Sequence, residues 1–400
     1  MSNPRNPKVS SKWTVLAISF ALMTTFAISL QALPPLFNLI MEDIPFSNSQ
    51  AGMLMGAYAI PGIFLPFLIA YFVQRFDKKS IILISVSLVM LGLIAFFFSQ
   101  TFMSLLLSRL LAGIGATAIL VLAPLLVTIF FDRSNMGIAM GIFNTAMPFG
   151  TVLAVNSFAP LGLLLGWRQS ILVAAVLAGV VIAINYFVLF LPKSKGEGAA
   201  EGSTEPDPQQ KPFKMSLSIW LLAAIWVLAN AQLLAYITFG PQFFQGVGIS
   251  VQKAGLLTSF IMLMPIIVGP LVGIVFDKTG RRRGFVRAGT IMMAVSFVFF
   301  LKFSGTLPLW AITLGIGFAP IPIYVFAKLP ELVEPHQVGM GMGVLTAASN
   351  LGITVGPAAF GFILDKTAGS FVTGFTVLAI VSVGVVLSLW GIKKQDRDAT

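Results

Sequence analysis

One arginine stands where an arginine is costly. Arg109 falls inside the apolar run Phe102–Phe131, which is long enough to cross a bilayer, and no Asp or Glu falls within any comparable run. A buried guanidinium of this kind can attract an anion or modulate proton coupling. It can equally tie helices together through backbone carbonyls near the outer interface. The sequence leaves both uses open. Other polar groups in the apolar runs are sparse. The first run has Thr24, Thr25, Ser29 and Gln31, and the fifth has Asn144. The seventh has Asn230, Gln232, Tyr236 and Thr238, the tenth Tyr324, and the eleventh Ser349 and Asn350. Gln232 and Tyr236, at i and i+4, share one helical face. Any one of these could be an interhelical hydrogen bond. As a set they imply a weakly polar central cavity, with Arg109, Gln31, Asn144, Asn230, Gln232, Tyr236, Tyr324 and Asn350 as candidate substrate ligands.

Much chemistry is excluded. The 400 residues contain no Cys and a single His, His336, which removes thiol catalysis, disulfides and His- or Cys-based metal sites. No Gly-Lys-Ser/Thr phosphate loop is present, so ATP hydrolysis is not suggested. No cofactor, metal or catalytic residue is expected. A site without a membrane carboxylate disfavours cationic substrates.

The elements that hold these residues are membrane helices. Hydrophobic residues make up 57% of the chain, charged residues 10%, and mean hydropathy is +0.94. No water-facing surface can be built from that balance. Further runs of spanning length are predicted at Trp13–Leu36, Ala51–Phe72, Ile81–Phe98, Met136–Leu165, Ser170–Leu191, Ile219–Phe239, Ala254–Phe276, Phe285–Phe303, Leu307–Leu329, Val338–Leu364 and Phe371–Ile392, twelve in all. The first is too long for a signal-peptide core and reads as an uncleaved helix. A Pro-, Gly- and charge-rich segment, 192–218, reads as a flexible cytoplasmic linker. It separates a bundle over 1–191 from a second over 219–400. With both termini inside, 20 of the 25 Lys and Arg lie in cytoplasmic segments. Arg168, Lys253, Lys302 and Lys366 lie outside, and Arg109 lies within a run. That asymmetry explains the net charge of +11 through membrane orientation, without nucleic acid.

The halves repeat. Gly113 and Gly115 precede Gly315 and Gly317 by 202 residues, and Gly137, Met140, Gly141 and Gly150 precede Gly339, Met342, Gly343 and Gly352 by the same interval. Between the eighth and ninth runs lies the basic loop Gly273-Ile-Val-Phe-Asp277-Lys278-Thr-Gly280-Arg281-Arg282-Arg283. Gly280 supplies its turn. The first-half copy keeps Arg75, Lys78 and Lys79, but Gln74 stands where Asp is expected. With Arg109…Gly113…Gly115, these loops make the whole chain resemble the major facilitator superfamily of secondary transporters. The resemblance implies an all-α fold of twelve transmembrane helices in two pseudo-symmetric six-helix bundles, with the site between them. It also implies gating by Asp277, Arg281, Arg75, Gly273 and Gly280. Gly352…Gly356-Pro357…Gly361 is similar to an antiporter motif that the family places in its fifth helix. Gly361-Phe-Ile-Leu-Asp365-Lys366 is similar to the loop motif, but its position puts it outside.

The function expected is alternating-access transport of a small neutral or anionic solute across the inner membrane of a prokaryote, with a proton as candidate coupling ion. The alternatives are a multidrug or metabolite exporter and a non-transporting sensor or scaffold. The expected partners are the solute and the lipid bilayer, with no nucleic acid, and the protein is expected to be a monomer. The narrower resemblance is to cyanate and nitrate/nitrite porters, although the paired Arg of a nitrate porter's helices 2 and 8 are missing here.

Overall fold

The computed structural model describes residues 11–189, 215–302, 304–334 and 337–398. All but the last few residues of the expected linker lie outside that set, as do the side chains of Gln74, Arg133 and Asp277. The first half forms α1 (Lys12–Gln31), α2 (Phe37–Asp43), α3 (Asn48–Ala59), α4 (Pro61–Arg75), α5 (Lys78–Phe97), α6 (Phe102–Phe130), α7 (Arg133–Asn144), α8 (Ala146–Leu165) and α9 (Trp167–Val188). The second half forms α10 (Leu217–Gly246), α11 (Val251–Thr279), α12 (Arg282–Phe299), α13 (Leu307–Phe318), α14 (Pro320–Leu332), α15 (Val338–Lys366) and α16 (Phe371–Asp398).

Ten helical segments among the described residues are long and apolar enough to cross a membrane. The other two expected runs are helical but differ for physical reasons. Pro61 divides the second run into α3 and α4, because proline has no N–H to continue the ladder. The ninth, α12, opens with Arg282, Arg283 and Arg287, which lower its apolarity. Proline also explains two other breaks. Pro148 cannot donate to the Asn144 carbonyl, and the helix breaks at Thr145; Pro320 does the same one turn after Ile316. Gly280 ends α11 in the left-handed conformation, φ 64°, and its N–H donates to the Phe276 carbonyl at 3.0 Å. The expected turn is therefore present.

Each half packs on itself. In the first, α5 lies against α6 and α9, and α1 against α6 and α8. In the second, α10 lies against α15 and α16, and α12 against α13 and α16. The rim of the first half opposite the basic loops is tied by Asp43, which accepts from the Trp167 indole at 3.1 Å and pairs with the Arg168 guanidinium. Large apolar side chains such as Leu164, Phe187 and Trp390 are more than half exposed, as lipid-facing residues are.

Candidate functional site

The two halves meet mainly along two seams, α3 and α4 with α15, and α8 with α11. Between apolar helices in lipid, close approach comes from small residues. At Gly52 an added Cβ would overlap the Pro357 carbonyl; at Gly56 it would come within 2.8 Å of the Thr354 carbonyl, and at Gly361 it would overlap the Asn48 carbonyl. Gly255 of α11 sits in the same way on the Val155 carbonyl, 2.8 Å away. All of these lie toward the end opposite the basic loops. Toward the basic-loop end the seams part. A Cβ added at Gly137 or Gly141 of α7, at Gly269 or Gly273 of α11, or at Gly339 of α15 would meet nothing within 4 Å. The molecule is sealed at one membrane face and spread at the other.

Arg109 sits on the sealed side and is 1% exposed. Its Nε donates to the Leu54 carbonyl at 3.2 Å, one terminal nitrogen to Ser29 at 2.7 Å and the other to Leu30 at 3.5 Å. The guanidinium carbon lies 4.3 Å from the centroid of the Tyr58 ring, and the Tyr58 hydroxyl lies 2.7 Å from Ser29 Oγ. The arginine thus ties α1, α3 and α6 through backbone carbonyls, which is the tethering use of the two weighed for it. Its charge is still there. Among the described residues no ion pair neutralises it, so it gives the neighbouring protein interior a positive potential.

Gln31 ends α1, next to Leu30. It is fully buried, and neither its Oε1 nor its Nε2 has a hydrogen-bond partner among the described residues. An unpaired buried polar group costs roughly 1–3 kcal/mol. A carboxamide left this way offers two N–H donors and an acceptor oxygen to a molecule that is not part of the chain. The buried hydroxyls of Thr151 on α8 and Thr238 on α10 are unpaired as well.

The remaining candidates divide. Asn144 is exposed at the α7–α8 break, in mid-span, where an amide would face water in a cavity in preference to lipid. Asn230 donates to the Trp226 carbonyl at 2.8 Å and accepts from Ser349 at 3.2 Å, joining α10 to α15. Asn350 donates to the Thr346 carbonyl at 2.9 Å, and its amide occupies the space a Cβ would need at Gly62 of α4, so it lies at the contact between halves. Gln232 and Tyr236 do share a face, but that face turns into the second half. Gln232 accepts from Ser382 of α16 at 2.8 Å, and the Tyr236 hydroxyl donates to the Leu257 carbonyl at 3.2 Å within a cluster of Phe244, Phe297 and Phe300. Tyr324 is buried in the same half, near Arg283 and Arg287. The structure therefore does not bring these three together with Gln31 or Asn144. Tyr58, which carries the arginine, was not marked by any spacing in the sequence.

Of the gating candidates, Arg75 stacks on Tyr71 of its own helix at 4.4 Å, and Arg281 is exposed. Gly273 and Gly280 both face open space.

The family model of the Major Facilitator Superfamily matches residues 15–250 and again 235–399. A probable sulfoacetate transporter of Cupriavidus necator is 22% identical over 382 residues, covering 88% of this chain and 87% of the relative. The nitrite extrusion protein of Bacillus subtilis is 22% identical over 370 residues, covering 89% and 88%. Among solved structures, a bacterial homologue of the human lysosomal transporter Spinster, in an inward-facing and occupied conformation, superposes with a TM-score of 0.76 at 17% identity, covering 99% of this chain and 98% of the other.

Proposed function

The chain belongs to the Major Facilitator Superfamily, and from that premise we propose that it moves a small neutral or anionic solute across the membrane by alternating access. One observation carries the reading: the halves are sealed at one face and parted at the other. A path that opens to one side at a time requires that asymmetry. The basic loops lie at the parted face, so the positive-inside rule makes this the inward-open state, with both termini in the cytoplasm. Gln31, Asn144, Asn230 and Asn350 are the groups proposed to meet the solute. The buried charge of Arg109 raises the potential nearby and favours an anion or a neutral molecule over a cation. Gln232, Tyr236 and Tyr324 support the walls. The chemistry of the relatives' substrates, a sulfonated acid and nitrite, fits that sign. A proton is the proposed coupling ion, and the inner membrane of a prokaryote the proposed location.

The test is uptake into proteoliposomes of nitrite, sulfoacetate, a hexuronate and a neutral dipeptide, with and without an imposed proton gradient. Uptake above protein-free vesicles is expected for at least one, and faster with the gradient. A panel that neither moves nor raises the melting temperature of the purified protein would overturn the reading. Normal transport by Gln31→Leu would remove Gln31 from the site.

A further inference from the structure

The hexad Gly-x-x-x-Asp-Lys occurs at both faces of this protein, as Gly273…Asp277-Lys278 and as Gly361…Asp365-Lys366. In the second copy the glycine and the aspartate are both engaged with the opposite half. Gly361 lies on the Asn48 carbonyl. Asp365 Oδ1 accepts from the Asn48 backbone N–H and from its side-chain Nδ2, each at 3.0 Å, and Oδ2 accepts from the Ser49 N–H at 2.8 Å. Asn48 and Ser49 are the first two residues of α3. The first turn of a helix leaves its N–H groups without internal partners. Here Ser47 Oγ takes the third, from Gln50 at 3.3 Å, and Gln50 Oε1 returns the bond to the Ser47 N–H at 2.9 Å. The first and second go to a carboxylate from the opposite half. The negative charge also lies at the positive end of α3. By the 202-residue repeat, Leu163 takes the place of Asp365 at the end of α8, and Ser250, which caps α11, makes no side-chain cap bond. Among the described residues the seal at this face thus has one carboxylate clasp, on one of its two seams.

We propose that Asp365 is the gating residue of the outer face: its capping of α3 holds the inward-open state, and its release is a step in opening outward. This rests on the alternating-access reading. The first copy of the hexad, whose Gly273 touches nothing here, is then the corresponding device for the other state. In both hexads the carboxylate belongs to the second half.

The test uses single cysteines in this Cys-free chain, with an impermeant maleimide applied to each face of vesicles. Thr354→Cys reports the seam, where Thr354 lies against Gly56, and Gly141→Cys reports the parted face, where an added Cβ meets nothing. Asp365→Ala should speed labelling of Thr354→Cys roughly 2- to 30-fold, the span of a carboxylate at a helix N-terminus, and slow that of Gly141→Cys. Asp365→Glu, which keeps the charge on a longer stem, should fall between. Opposite changes at the two reporters support the gate. Unchanged rates overturn it, and so do rates that rise together, because they mark a loosened fold. If the two reporters already react alike with otherwise wild-type sequence, alternating access fails. If they differ and Asp365→Ala leaves the difference intact, only the gate fails.

Discussion

Arg109→Gln should damage the fold before it damages binding. The wild-type guanidinium satisfies three buried carbonyls, those of Ser29, Leu30 and Leu54, and lies over the Tyr58 ring. Glutamine is shorter and has two donors on one nitrogen. It can reach one of the three at best. The Leu54 carbonyl lies inside α3 and keeps the Tyr58 N–H of its own helix as a partner, but one carbonyl at the end of α1 is left unpaired, at roughly 1–3 kcal/mol. The lost cation–π contact adds about 0.5–2 kcal/mol. Membrane hydrogen bonds run weaker than these figures, because the unfolded chain also finds partners, so a net loss of about 1–4 kcal/mol is expected. At about 2–4 °C per kcal/mol for a unit of this size, the melting temperature should fall by roughly 2–16 °C. Arg109→Lys, which keeps the charge and one carbonyl contact, should fall by about half as much. Differential scanning fluorimetry on detergent-purified protein reads both. A melting temperature within about 2 °C of wild type for Arg109→Gln, with weakened binding of a transported anion, would refute the tether and make the guanidinium a ligand.

Asp277→Asn should speed labelling of a cysteine at Gly141, because the expected clasp of that loop on the start of α7 would no longer favour the outward-open state; unchanged labelling would remove that clasp. Protease applied to inside-out vesicles should cut within 192–218 and leave two membrane-bound halves, and protection would mean an ordered segment or an inverted topology. In a double-mutant cycle, Gln232→Leu and Ser382→Ala should couple by about 0.5–1.5 kcal/mol in stability, read by melting in detergent. A cycle with no coupling would mean that the 2.8 Å contact contributes nothing.

What was legible in the sequence follows from what sequence patterns encode. The turn at Gly280 was readable because a left-handed residue selects glycine. The half-and-half organisation is readable because the 202-residue interval recurs at two separate motifs and the basic loops repeat within one residue of it. The two uses of Arg109 could not be separated, since its partners are main-chain carbonyls on α1 and α3 that leave no trace in residue type. Gln232 and Tyr236 point to the cavity by their polarity and i, i+4 spacing alone, and α10 is apolar almost all round. Nothing in such a helix shows which side faces the other half and which faces α16 and α11. Asp365 was noticed for its spacing, but its partners lie more than 300 residues away.

The contacts of α3 and α4 with α15 form a ladder of rungs: Asn48 on Gly361, Gly52 on Pro357, Gly56 on Thr354 and Gly62 on Asn350. At 1.5 Å per helical residue the first and last rungs stand about 21 Å apart. If the halves rock about the membrane centre, Gly62 lies near the fulcrum and Gly361 at the end of the lever. Displacement on opening then grows with distance along the ladder, and so does the work done against any side chain added there. One methyl group should bias the cycle most at Gly361 and least at Gly62. A graded series of four alanines would measure where the pivot lies without a structure of the second state.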